Sequence, residues 1–255
     1  MTRSSNSSFA PEETYGHYLD GLLTNNRLRC REIFQQWLDS APDLRTLYEQ
    51  LVRRSLYQVG ELWEQGKISV ATEHLATAIS ESLLNLTYPR LFAQPRNGKS
   101  AVVTGVSNEY HQIGGKMVAD IFELNGWRGH FLGANMPEAD LKLLIEEKRP
   151  DAVALSLATA LNLDRLNHTV AEIRDAFPTL PVIVGGQALR WLERAQVETQ
   201  PGVRALNTLG ELEAWIQNGP EKKTCLKIPP LRKPCALMCW RPRRCWHSAW
   251  MRSIV

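Results

Sequence analysis

The chain has 255 residues, 44% hydrophobic and 22% charged, with a formal net charge of +3. That length can bury one large core or two modest ones. Residues 221–255 hold nine Lys/Arg against Glu221 alone, so the preceding 220 residues carry −5, which argues against a nucleic-acid-binding face in the main body.

No run approaches the ~18 consecutive apolar residues of a membrane span. The start, "MTRSSNSSFAPEE", lacks the apolar stretch of a secretory signal, so the cytoplasm is the expected location. Four of the five cysteines, Cys225, Cys235, Cys239 and Cys245, lie in the last 31 residues and only Cys30 in the body, which excludes a disulfide framework for the main fold.

Residues 1–13 are Ser/Asn-rich and expected to be disordered. From 14 to 92 the apolar residues recur at three and four. "RCREIFQQWLDSA", "DLRTLYEQLVRRSLYQVGELWEQG" and "SVATEHLATAISESLLNLTYPRLF" each predict a helix. Asp43 and Ser69 are expected N-caps, and Gly66 the stop of the middle helix. Short connections make the three antiparallel neighbours in a helical bundle.

Residues 93–100, "AQPRNGKS", read as a linker. Beyond it, strands are expected at 101–106, 128–133, 152–157, 181–186 and 203–206. Helices are expected in "GGKMVADIFELNGW", "PEADLKLLIEEKRP", "DRLNHTVAEIRDAF", "ALRWLERAQ" and "LGELEAWIQNG". Short apolar runs alternating with amphipathic helices describe a parallel sheet covered on both faces. The expected fold class is therefore α/β: an N-terminal helical bundle cap (14–92), then a five-stranded, parallel, doubly wound, flavodoxin-like domain at 101–219. Residues 220–255 form a basic, Cys/Trp-rich tail without a usable period, expected to be disordered. A zinc site from Cys235, Cys239, Cys245 and His247 matches no common spacing.

The stretch "NEYHQIGG" (108–115) puts His111 on the loop after the first strand, where open α/β sheets bind ligands. A neutral imidazole there can ligate a metal, and Glu109, two residues earlier, can take its other N–H. Gly114 and Gly115 let the next helix start close against the sheet. A lone histidine in such a loop is more often a cap or a surface residue, and E-x-H-x-x-G alone is unspecific. Neither G-x-G-x-x-G nor G-K-[ST] is present in these loops. Ser156 and Leu157 end the third strand and Gly185 and Gly186 the fourth, all at the same end of the sheet as His111.

Together, E-x-H-x-x-G, S-L and G-G resemble the cobalamin-binding domain of B12-dependent methionine synthases, mutases and corrinoid proteins, across residues 101–219. The resemblance implies that His111 is the lower axial ligand of cobalt and that Glu109 holds it. It also implies that Gly114, Ser156, Leu157, Gly185 and Gly186 line the slot for the displaced nucleotide tail. Glu109 stands where Asp is commonest in that family.

Trp63, nine intervening residues, and then Glu73 and His74 form a second block. It resembles the helical cap of light-sensing B12-dependent repressors of carotenoid genes, where the tryptophan covers the upper axial group beside the Glu-His pair. Glu64 follows Trp63, where those repressors can carry a histidine that traps the photoproduct. Their winged helix-turn-helix domain has no counterpart in the ~25 residues before the matching block, so no direct DNA-binding domain is expected.

The expectation is a cobalamin-binding sensor or regulatory protein rather than an enzyme, base-off and His-on. Adenosylcobalamin is the preferred cofactor, with methylcobalamin or hydroxocobalamin as variants. It would act through a protein partner, a transcription regulator or signalling protein, with a homo-oligomer possible and no membrane association. The alternative is a corrinoid methyl carrier serving a B12-dependent methyltransferase pair.

Overall fold

The computed structural model describes residues 10–41, 43–92 and 95–219. The tail, with its cysteines, lies outside them, as do residues 1–9. Helix α1 (Pro11–Leu23) begins inside the segment 1–13 expected to be disordered. Pro11 at the first helical turn needs no N–H partner, and Glu12 and Glu13 favour the positive end of the helix.

Helix α2 (Arg27–Ser40) follows, capped by Asn26. The expected long middle helix is continuous but not uniform. Helix α3 (Leu44–Leu47), capped by Asp43, passes into a π-helical stretch at Tyr48–Arg53 and then α4 (Arg54–Glu64). Gly66 stops α4 with φ +68, its N–H reaching the Trp63 carbonyl while the Lys67 N–H reaches that of Leu62. Ser69 caps α5 (Val70–Leu84), so Trp63 and Glu73 stand at the same end of an antiparallel pair. A 3-10 turn (Asn85–Thr87) and α6 (Tyr88–Leu91) complete the helical layer.

The α/β part runs β1 (Ser100–Gly105), α7 (Ile113–Leu124), β2 (Arg128–Phe131), α8 (Glu138–Lys148), β3 (Ala152–Ser156) and α9 (Leu163–Ala176). It continues with β4 (Val182–Gly185), α10 (Arg194–Val197), β5 (Val203–Ala205) and α11 (Leu209–Asn218). The five strands pair in parallel in the order β2-β1-β3-β4-β5, the flavodoxin-like order expected from the alternation.

Helix α10 is shorter than expected. The chain leaves β4 through a 3-10 turn (Gln187–Arg190), and Glu193 then starts a new helix in a capping box with Gln196. Those reciprocal bonds hold Glu193 extended and break the one-helix pattern read across "ALRWLERAQ".

Strand residues alternate between two cores. Ala101, Val103, Ala152, Ala154 and Ile183 join α7, α11 and the helical layer in one cluster, which includes Tyr18, Phe34 and Tyr48. Val102, Val153, Leu155, Val182 and Val184 join α8, α9 and α10 in the other. The helical layer thus shares a core with one face of the sheet. Among the described residues no helix is long and apolar enough to cross a membrane.

Candidate functional site

The strand register aligns Gly105 with Ser156, and Ser156 with Gly185, so the loops after β1, β3 and β4 open side by side. His111 sits on the first of them, its side chain 64% exposed, while the Glu109 side chain beneath it is 1% exposed. Glu109 Oε1 lies 2.5 Å from His111 Nδ1 and accepts the His111 backbone N–H at 3.2 Å. Its Oε2 accepts the N–H groups of Ala158 (2.9 Å) and Thr159 (3.3 Å) and the Asn162 side-chain amide (3.3 Å). Burial pushes this carboxyl up, but the bonds from His111 and Ala158 outweigh it and hold the group at about 2. The longer reach of Glu is therefore no obstacle to the bond.

The bond to Glu109 raises His111 above its ordinary value against the effect of burial, and the charges of Glu109 and Glu73 add to it. With Nδ1 committed, Nε2 takes part in no hydrogen bond among the described residues and is the nitrogen presented at the sheet mouth. No cluster of three or more His, Cys, Asp or Glu that could hold a metal ion occurs among the described residues. A metal at His111 would rely on a single protein nitrogen and bring its other ligands with it, as a corrin does.

The glycines divide by what packing demands. At Gly186, with φ +132, a Cβ would lie 2.1 Å from the Leu157 carbonyl oxygen, so only glycine fits. At Gly115 it would lie 3.0 Å from the Phe131 ring, so the start of α7 packs close against the side chains of β2 there. At Gly114 the nearest atom would be Ser156 Oγ at 3.9 Å, and at Gly185 the Leu206 carbonyl oxygen at 3.5 Å. Packing requires neither, and both leave room at the strand ends that a bound group can use. Leu157 is fully buried, its N–H bonded to the Gly185 carbonyl at 2.8 Å.

The helical layer reaches the same loop. Gln112, next to His111, donates to Glu81 Oε1 on α5 at 2.7 Å. Glu73, two turns earlier on α5, acts electrostatically on His111. Glu73 Oε2 lies 2.5 Å from Nδ1 of the exposed His74, and Oε1 accepts the Thr77 hydroxyl at 2.8 Å. Trp63 is 48% exposed on α4, and among the described residues no hydrogen bond or ring contact ties it to His111 or Glu73. The structure thus brings Glu109, His111, Ser156 and the glycines to one end of the sheet, with Glu73 acting on His111 through its charge and Trp63 at the same end of the α4–α5 pair as Glu73.

Asn162 and the backbone of Ala158 and Thr159 were missed in the sequence. Their only advance signal was their place in the loop after β3.

A family model described as a B12 binding domain matches residues 99–207, and a second of that description matches 17–87. The HTH-type transcriptional repressor CarH of Myxococcus xanthus is 30% identical over 164 residues, covering 64% of this chain and 54% of that protein. CarA of the same organism, also an HTH-type transcriptional repressor, is 34% identical over 125 residues, or 49% and 43% of the two chains. The chain spans about half the length of these curated relatives. Among solved structures, the Methanosarcina barkeri monomethylamine corrinoid protein shares the fold. Its TM-score is 0.67 at 14% identity, covering 80% of this chain and 97% of that one.

Proposed function

The chain belongs to the family of cobalamin-binding proteins, and from that premise we propose that it is a B12-dependent sensor that acts through a partner protein. The observation that supports cofactor binding is the buried Glu109 bonded to His111 Nδ1 at 2.5 Å, which leaves Nε2 without a hydrogen bond among the described residues and so able to ligate cobalt. Glu109 fixes the tautomer and orientation of His111. Ser156, Leu157, Gly185 and Gly186, with Gly114 opposite, are assigned to the nucleotide tail. Trp63, Glu73 and His74 are assigned to the upper axial group, for which an indole supplies shielding and the Glu-His pair supplies hydrogen bonds to sugar hydroxyls.

Adenosylcobalamin is the preferred form, with methylcobalamin or hydroxocobalamin as variants. When bound, the cofactor supplies a Co–C bond that visible light cleaves, while the protein supplies the element that responds. The likeness to two transcriptional repressors supports a regulatory output, here carried by a transcription regulator or signalling partner. The half-exposed Trp63 favours a second reading, a corrinoid methyl carrier whose upper side must meet partner enzymes.

Absorption spectra of the protein with adenosylcobalamin, recorded in the dark and after green light for wild type and His111→Ala, test the proposal. A red-shifted bound spectrum that the variant loses, and a change in assembly by size exclusion on illumination, are expected. His-dependent binding with no light-dependent change in assembly would transfer the reading to the carrier. No binding would sink both.

A further inference from the structure

Helix α5 buries Ala76, Ile79, Ser80, Leu83 and Leu84 in the helical layer. Another of its faces carries Glu73, Thr77 and Glu81, spaced four apart and each half-buried. Residues at that spacing form one stripe, and this stripe serves the loop that carries His111. Glu73 acts on His111 through its charge, and its Oε1 accepts the Thr77 hydroxyl at 2.8 Å. Two turns on, Glu81 Oε1 accepts the Gln112 side-chain N–H at 2.7 Å.

Gln112 follows His111 directly and is the N-cap residue of α7. Its side chain makes no cap bond there and reaches across to α5 instead. Among the described residues no other hydrogen bond joins the loop 106–112 to the helical layer. On its other side the loop is fixed by Glu109, which accepts the His111 backbone N–H and meets its ring. Glu109 is itself held by Ala158, Thr159 and Asn162. The peptide between His111 and Gln112 therefore lies between two anchors, one at the strand ends and one on α5.

A hydrogen bond to a charged oxygen is stronger than one between neutral groups, and the partial burial of this one limits competition from water. A Gln112 bonded to α5 restricts the same loop that a metal at His111 Nε2 would restrict, so each favours the other. Helix α5 in turn packs against α4, which carries Trp63. We propose that the Gln112–Glu81 bond is a coupling device, which passes engagement of His111 by the cofactor to α5 and so to the α4–α5 pair. Gln112 and Glu81 are positioning residues in it, acting through the loop and not on cobalt. The inference rests on the cobalamin reading and gives that sensor the contact by which its helical layer responds.

The test is amide hydrogen exchange of the full chain with and without adenosylcobalamin in the dark, at equal saturation, for wild type, Gln112→Met, Glu81→Met and Glu81→Gln. The amides of β1, next to the His111 loop, report binding itself: their slowing by the cofactor is expected in all four proteins. In wild type the cofactor is expected to slow the α5 amides about tenfold. In Gln112→Met and in Glu81→Met that slowing is expected to fall to within about twofold of no effect. Glu81→Gln keeps an acceptor oxygen for Gln112 and is expected to retain the wild-type response. Cofactor-free β1 protection equal to that of wild type shows that the variants are folded. Slowing of α5 that survives in both methionine variants, or that is absent in wild type while β1 responds, would overturn the inference and leave cobalamin binding intact. Wild type in which neither β1 nor α5 responds would instead remove the cobalamin reading itself.

Discussion

His111, Ala158, Thr159 and Asn162 all donate to Glu109, a carboxylate shut away from solvent at the mouth of the sheet. A buried acceptor with so many donors orders the loops after β1 and β3 together as well as aiming the imidazole. Glu109→Gln replaces one acceptor oxygen with a donor facing N–H groups. We expect the cofactor-free protein to lose about 1–3 kcal/mol in urea denaturation, and an unchanged midpoint would contradict this account of the carboxylate. The Glu109–His111 pair was legible because both members lie on one loop, two residues apart. Asn162 was not, since its contact spans 53 residues of sequence and depends on strand order.

At the scale of elements, helix ends followed local chemistry closely. Asp43 and Ser69 accept the N–H groups they were expected to accept, and Gly66 closes α4. The π-helical stretch was not legible, and two of its side chains reach elements far away in sequence. There Tyr48 meets α7 through Asp120 at 2.8 Å, and Glu49 meets the start of α11. Tyr48 also donates to Thr87 Oγ1 at 3.0 Å, and Thr87 donates to the Leu84 carbonyl. One hydroxyl carries one proton, so Tyr48 donates to Asp120 or to Thr87 at any moment, and only a protonated Asp120 can donate in return while Tyr48 serves Thr87.

Burial raises Asp120 above its ordinary value, Lys116 at 3.9 Å and the Tyr48 hydroxyl work against that, and Glu123 adds to it. Tyr88 faces the same group of residues through Tyr48. A raised acid favours the fold most at low pH, and that contribution is lost as pH climbs from about 3.8 through the folded value. Asp120→Asn, which can donate to Tyr48 at any pH, is therefore expected to keep stability at pH 7 and to flatten its dependence above pH 4. Tyr48→Phe is expected to cost about 1–3 kcal/mol. Urea denaturation across pH decides both, and a marked loss in Asp120→Asn would show that the charged carboxylate holds the junction.

Across the whole molecule, the strand order followed from alternation alone, since crossover helices leave few ways to build a parallel sheet. The junction between the layers did not. It rests on pairs such as Gln112 with Glu81 and Arg45 with Glu213, at 3.0 Å, whose members are far apart in sequence and ordinary in type. A ligand held between loops and helices stabilises both, by about 2.7 kcal/mol at a hundred times its Kd. For a unit of this size that is a rise of roughly 5–10 °C in melting temperature. Calorimetry with and without cobalamin in the dark checks this, and identical melting curves would contradict it.

The central claim is that a nitrogen of His111 sits on cobalt. Electron paramagnetic resonance of the protein loaded with cob(II)alamin, prepared once with ordinary histidine and once with 15N-histidine, reads that nitrogen directly. The account predicts that the axial superhyperfine splitting changes from a triplet to a doublet on labelling and that His111→Ala loses the doublet. A triplet that survives labelling would mean that the nucleotide base remains on cobalt, and would contradict the account at its centre.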